Sequence, residues 1–132
     1  MNTFTGTIQL IETYQSLSLV RVKVHTTLFS AVVLETPDTV SYLKDKNTVH
    51  VLFKETEVVI GKGTDHALSM QNKIVGKVSK IEKGKFLSKI TLCTAIGTLV
   101  AIITSNALKQ LNLQEDEYVT ALIKTNQIML SK

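Results

Sequence analysis

An internal repeat is the sequence feature that most restricts what this chain can fold into. When the sequence is shifted against itself by 70 residues, Met1–Lys62 aligns with Gln71–Lys132 without a gap. A repeat of this kind indicates copies of one structural unit. Twelve of the 62 aligned positions are identical, namely Asn2, Gly6, Ile11, Glu12, Leu17, Ser18, Ala31, Leu43, Val49, Leu52, Lys54 and Lys62. The sequence therefore predicts two small domains, residues 1–62 and 69–132, joined by a linker over residues 63–68.

The second copy shows the alternation of apolar and polar residues that is typical of β-strands. Ile74–Ile81 and Phe86–Cys93 alternate with period two, and the glycine-containing turn between them predicts a hairpin. Three further strands complete the second copy, and they are predicted over Thr98–Thr104, Tyr118–Lys124 and Gln127–Leu130. The repeat extends this pattern of five strands to the first copy.

One short helix is predicted in each copy. In the second copy it covers Ser105–Leu111, with Thr104 or Ser105 as the N-cap. In the first copy, Thr36 before Pro37 places a cap and a proline where a helix begins. We therefore expect an all-β chain of two tandem OB-like five-stranded β-barrels, each with one short helix. Because such small units have little core, we expect oligomerisation to stabilise them.

Composition excludes several classes of protein. The apolar runs are far shorter than the roughly 20 residues that span a bilayer, and the first residues show no signal-peptide pattern. Cys93, the only cysteine, has strand-like flanks and is expected to be packed, without a disulfide. The sequence therefore predicts a cytoplasmic protein. Its formal net charge of +4 suits a small anion and, less well, nucleic acid.

An enzyme is not expected, because neither a nucleophile motif nor an acid–base motif is present. The three histidines lack metal-ligand spacing: His25, His50 and His66. A regulatory module and a nucleic-acid or protein-binding module remain as alternatives. A nucleic-acid binder would stack bases on exposed Phe4, Phe29 or Tyr42, although these residues fit core or hairpin positions better.

Three segments of the second copy carry the hydrogen-bond donors that an oxyanion needs, with no carboxylate among them. Thr104 and Ser105 lie at the predicted helix start, Lys124-Thr125-Asn126 follows a strand, and Ser69–Asn72 precedes one. Each segment alone also fits a structural role, as a helix cap, a solvated lysine or the end of a linker. The candidate oxyanion-binding residues are Ser69, Gln71, Asn72, Thr104, Ser105, Lys124, Thr125 and Asn126, with Lys54 in the first copy.

These segments resemble the molybdate-binding, TOBE-like Mop domain of the molbindin family. The similar runs are Asn72–Val78, Ala101–Thr104, Ala121–Lys124 and Ile128–Leu130. The resemblance covers Ser69–Lys132 and, through the repeat, extends faintly to the first copy. It implies molybdate or tungstate as the bound ligand, held between barrels of a homo-oligomer that is typically a trimer. The implied role is storage or homeostasis of molybdenum, while delivery and sensing stay open.

The second copy departs from the family's pattern at two donor positions. Ser69 and Asn72 match the family's Ser-Ala-Arg-Asn start, but Gln71 replaces the arginine. Thr104 matches the Thr-Asn-x-Ser loop, but Ala107 stands at the serine position. Lys124, with Thr125 and Asn126 after it, corresponds to the family's Lys-Ala-Ser turn.

The first copy departs further, because it carries carboxylates near the corresponding positions. Glu55 follows Lys54, and Asp38 lies in the first turn of the predicted helix. A carboxylate near an oxyanion is repulsive. We therefore hypothesise that complete sites depend on the second copy and that the first copy acts mainly as a wall of its partner's site.

Overall fold

The computed structural model describes residues 1–132 as a mostly β protein with one α-helix. Two 3₁₀ turns, Glu55–Glu57 and Thr125–Gln127, interrupt the strands. The remaining elements in chain order are β1 Asn2–Tyr14, β2 Leu17–Val24, β3 Thr27–Val33, β4 Thr48–Phe53, β5 Val59–Lys62, β6 Asn72–Glu82, β7 Leu87–Thr94, β8 Gly97–Thr104, α1 Ser105–Leu111, β9 Tyr118–Ile123 and β10 Met129–Ser131. No helix is long and apolar enough to cross a membrane.

The strands form two antiparallel five-stranded sheets. The first sheet has the order β10-β4-β1-β2-β3, and the second has the order β5-β9-β6-β7-β8. Corresponding strand pairs keep the 70-residue offset, since Thr7 faces Lys23 while Lys77 faces Cys93. Each sheet ends in two edge strands, so backbone hydrogen bonds do not close either sheet into a barrel.

The last strand of each copy belongs to the sheet of the other copy. Strand β5 pairs with β9, with Ile60 opposite Ala121, and β10 pairs with β4, with Leu130 opposite Val51. The prediction that residues 127–130 complete the second copy's own set of strands was therefore wrong about the pairing. The exchange is reciprocal, so neither sheet is complete without a strand from the other half of the sequence.

The core is one continuous cluster of 26 buried apolar residues that draws on both sheets. Alternation along β6 points Ile74 and Val78 inward, as the period-two pattern predicts. Phe4 and Phe29 are 8% and 1% exposed, and their rings stack with a centroid distance of 6.2 Å. Tyr42 is half-buried, and its hydroxyl donates to Glu35. The three aromatic residues considered for base stacking are thus packed within the protein.

Only the second of the two predicted helices forms. Helix α1 covers Ser105–Leu111, and the Thr104 hydroxyl accepts a hydrogen bond from the Ala107 N–H, as predicted. After Thr36 the chain makes a single turn and then leaves the helical path. The reason lies in the residues that follow the cap. Asp38–Ser41 contains β-branched and hydroxyl residues of low helix propensity, whereas Ala107–Leu111 contains strong helix formers.

Cys93 does not lie in the core. Strand β7 alternates, and its buried positions are Ser88, Ile90 and Leu92, which leaves Cys93 on the exposed face. The prediction of a packed thiol was wrong because the flanking pattern identifies a strand but does not say which of its two faces a residue occupies.

Candidate functional site

One cleft brings together five of the predicted ligand residues. Asn72 at the start of β6 lies opposite Ile123 at the end of β9, so the segments before β6 and after β9 meet. Six residues line the resulting cleft, which has a volume of about 210 Å³: Ser69, Met70, Gln71, Lys124, Thr125 and Asn126. Met70 was not predicted as a ligand residue, because an apolar side chain gives no signal for anion binding.

The cleft has the chemistry of an anion site. It contains the ammonium group of Lys124 together with hydroxyl and amide side chains, and it has no carboxylate in its lining. None of these side chains is committed to a hydrogen bond or an ion pair within the protein, whereas the Lys124 carbonyl accepts from the Gln127 N–H at 3.0 Å and shapes the turn. The donors are therefore free to bind a ligand from solvent.

Asn72 has a different position from the other predicted ligands. Its side chain is buried, and its Nδ2 donates to the carbonyl oxygens of Ser30 at 2.9 Å and Ile123 at 3.0 Å. Its Oδ1 accepts from the Ser30 N–H at 2.7 Å. Both amide protons are thus used within the protein, and the side chain joins β6 to β3 of the other sheet.

The repeat reproduces this contact in the opposite direction. Asn2, the counterpart of Asn72, donates to the Val100 carbonyl and accepts from the Val100 N–H, both at 2.8 Å. Val100 is in turn the counterpart of Ser30. Two equivalent asparagines therefore fasten the two sheets to each other. The identity of these residues between the copies is explained by this structural contact.

Thr104 and Ser105 do not line the cleft around Lys124. The Thr104 hydroxyl caps α1, as described above. The Ser105 hydroxyl lies 2.7 Å from Ser88 Oγ and donates to the Gly84 carbonyl at 2.7 Å. Ser105 lines a second cleft of about 370 Å³ between the β6–β7 turn and α1, together with Lys83 and other residues. The sequence-predicted ligands are thus divided between separate places.

The first copy has a carboxylate where the second has a hydroxyl. Glu55 is the counterpart of Thr125, and its Oε1 lies 2.7 Å from the N-terminal ammonium of Met1. This hydrogen bond lowers the pKa of Glu55 below its ordinary value. Lys54 is exposed and precedes this ion pair. A negative charge therefore stands beside the first-copy lysine, in contrast to the cleft around Lys124.

The structure contains no group of three or more His, Cys, Asp or Glu side chains that could hold a metal ion. His50 lies on β4, and its Nδ1 is 3.1 Å from Thr5 Oγ1. His66 Nε2 is buried and has no hydrogen-bond partner. The cleft around Lys124 is the place where several free donors line one cavity.

Comparison with known proteins finds one matching family model and similar solved structures. Residues 68–130 match the model of the TOBE domain. The cytoplasmic molybdate-binding protein ModG, in a crystal form with molybdate bound, is 25% identical, with a TM-score of 0.91 over 98% of this chain and 94% of that chain. MopII from Clostridium pasteurianum is 26% identical, with a TM-score of 0.46 over 48% of this chain and 96% of that chain. No protein of curated function matches the sequence.

Proposed function

We propose that the protein binds molybdate or tungstate and does not act as an enzyme, from the premise that residues 68–130 match the model of the TOBE domain. The single observation that carries the proposal is the cleft around Lys124, which offers an ammonium, two hydroxyls and two amides without a carboxylate. The likeness to ModG over nearly the whole chain supports the same ligand.

The donor set fits a small tetrahedral dianion. A charge-assisted hydrogen bond is worth about 1.5–3 kcal/mol. After the cost of association, five such contacts support an affinity in the micromolar range. Sulfate has the same charge and shape as molybdate, so we infer that the size of the closed site separates them. The cleft of one chain is open on one side, which leaves room for a second surface to complete it.

We propose that other copies of this chain supply that surface, in a homo-oligomer with three chains. An apolar groove of about 670 Å³ supports association, because Leu34 in its lining is 79% exposed and Met129 is 41% exposed. Exposed apolar patches of this kind mark interaction sites. In such an assembly each chain contributes two OB-like units, one from each copy of the repeat. The assembly stores or buffers the oxyanion in the cytoplasm.

Isothermal titration with molybdate tests the proposal, with sulfate and phosphate as control ligands. We expect micromolar or tighter binding of molybdate at about one or more anions per chain, and no comparable heat with the controls. The complete absence of heat with both molybdate and tungstate would contradict the proposal, because it would mean that this fold has no working site for either anion. Sedimentation of the same sample gives the number of chains in the assembly.

The Lys124→Gln variant is expected to weaken molybdate binding by about 10- to 100-fold, because it removes the one positive charge in the cleft lining while keeping a hydrogen-bond donor. Lys54→Gln is the matched control, since it makes the same change at the first-copy counterpart beside Glu55. Titration calorimetry of both variants measures the difference. Equal losses in the two variants would contradict the assignment of the site to the second copy.

The double variant Asp38→Asn/Glu55→Ala tests the role of the first copy. We expect it to bind molybdate as well as the unaltered protein or more tightly, because it removes negative charge without touching the cleft. Glu55→Thr copies the residue found in the second copy and tests whether the number of anions per chain rises. A large loss of bound anion in the double variant would rule out the hypothesis that these carboxylates oppose binding.

A further inference from the structure

The β6–β7 hairpin carries the excess positive charge of the whole protein. Between Asn72 and Thr94 the sequence has one acidic residue, Glu82, and six lysines, which are Lys73, Lys77, Lys80, Lys83, Lys85 and Lys89. The hairpin therefore has a formal net charge of +5, while the complete chain has +4. All residues outside the hairpin together sum to −1. We call the six lysines the basic hairpin surface.

The β1–β2 hairpin of the first copy lacks this charge. At the 70-residue offset, the six lysines fall on uncharged residues: Thr3, Thr7, Leu10, Thr13, Gln15 and Leu19. The two hairpins have the same register, including a bulge between Ile8 and Leu10 in one and between Val78 and Lys80 in the other. Since the same hairpin forms without lysines, folding does not require them.

The fold places these charges on the solvent side, where they are poorly neutralised. All six lysines are exposed. Lys80 and Lys89 both approach Glu82, at 3.6 and 3.9 Å, so one carboxylate is shared by two ammonium groups. Lys77 lies 4.0 Å from Asp116, a carboxylate that is itself 85% exposed. Exposed pairs of this kind contribute little, and the lysines at the tip, Lys83 and Lys85, make no ion pair.

Two exposed aromatic rings border the basic hairpin surface. Phe86 at the tip is 75% exposed, and the Lys85 ammonium lies 5.5 Å from its ring centroid. Tyr118 on β9 is 57% exposed and lies opposite Lys77. Their first-copy counterparts are Ser16 and Thr48. The first-copy hairpin also has an exposed ring at its tip, since Tyr14 is 68% exposed, but residues 12–19 around it contain no lysine. Exposed rings and lysines are therefore combined only in the second copy.

We propose that the basic hairpin surface binds single-stranded nucleic acid, with the lysines on backbone phosphates and Phe86 stacked on a base. At about 3.3 Å per residue, the ten steps from Lys73 to Lys83 follow a line roughly 33 Å long. A linear polyanion matches this arrangement, and exposed rings beside lysines supply the stacking surface that single strands use. Phosphate contacts and ring stacking are available to every base, so we expect little dependence on nucleotide sequence. This binding is separate from the oxyanion cleft, whose lysine is Lys124.

The test is fluorescence anisotropy of labelled single-stranded RNA and DNA with the full-length protein at increasing salt. Binding through four or five phosphates predicts a slope of log K against log salt of about −3. Lys83→Gln/Lys85→Gln is expected to reduce the slope by about 1.4. Phe86→Ser, which installs the first-copy residue, is expected to weaken binding by about tenfold without changing the slope.

Lys44→Gln/Lys46→Gln is the matched control, because both residues are exposed first-copy lysines and the variant has the same net charge as the tip variant. It is expected to keep the slope of the unaltered protein. The proposal is overturned if neither oligonucleotide binds at low salt, or if the control weakens binding as much as the tip variant. It is also overturned if vesicles of equal parts phosphatidylcholine and phosphatidylglycerol bind the surface while oligonucleotides do not.

Discussion

A chain shortened to end at Ile128 is expected to lose hydrogen-exchange protection in β4 while β9 stays protected. Strand β10 pairs with β4, and β5 covers the corresponding edge of β9. The deletion exposes backbone groups around Val51 and removes the side chain of Leu130, which packs against the core. We expect the free energy of unfolding to fall by about 2–4 kcal/mol. Amide exchange followed residue by residue, together with thermal unfolding, measures both effects.

The Ile60→Ala variant provides the matched comparison for the truncation. Ile60 is the counterpart of Leu130 and is 8% exposed on β5, so its truncation is expected to lower protection in β9 and spare β4. Loss of protection in β4 for the shortened chain and in β9 for Ile60→Ala would support the reciprocal exchange of strands. If the shortened chain instead lost protection in β9, β10 would belong to the sheet of its own copy.

The sequence predicted where the strands lie but not which partners the last ones take. Strands β5 and β10 are both short and mostly apolar, and the edges of β4 and β9 that receive them are equivalent through the repeat. The alternation pattern therefore fits pairing within a copy and pairing between copies equally well. The choice between them depends on the path of the chain after Phe53 and Ile123. That path is set by tertiary contacts, which a residue pattern does not contain.

The cleft could be predicted to a similar extent. The sequence identified Lys124 and Gln71 as candidate ligands, but they meet because β6 pairs antiparallel with β9, a pairing that the residue pattern did not specify. Asn72 looks the same in sequence whether it contacts a ligand or a buried backbone. Its partner Ser30 lies 42 residues away, and no local pattern reveals that contact. The lysines of the hairpin were visible in the sequence, but their common surface depends on the fold and on the bulge before Lys80.

The Asn72→Ala variant is expected to destabilise the protein by about 3–5 kcal/mol, which is a large effect for one side chain. The substitution removes three hydrogen bonds and leaves the Ser30 N–H, the Ser30 carbonyl and the Ile123 carbonyl without this partner in a buried position. Each unsatisfied buried group costs about 1–3 kcal/mol. Asn2→Ala removes two equivalent bonds to Val100 and is expected to have a smaller effect. Denaturant unfolding of both variants measures these differences.

Asn106→Ala is the control for Asn72→Ala, because Asn106 is exposed on α1 and its loss is expected to change stability by less than about 0.5 kcal/mol. Molybdate titration of Asn72→Ala at a temperature where it remains folded then separates the two roles considered for this residue. Because both amide protons of Asn72 are used in hydrogen bonds within the protein, we expect the folded variant to keep binding within a few fold. Normal stability with a severe loss of binding would mean that Asn72 contacts the ligand and that its bonds to Ser30 contribute little to the fold.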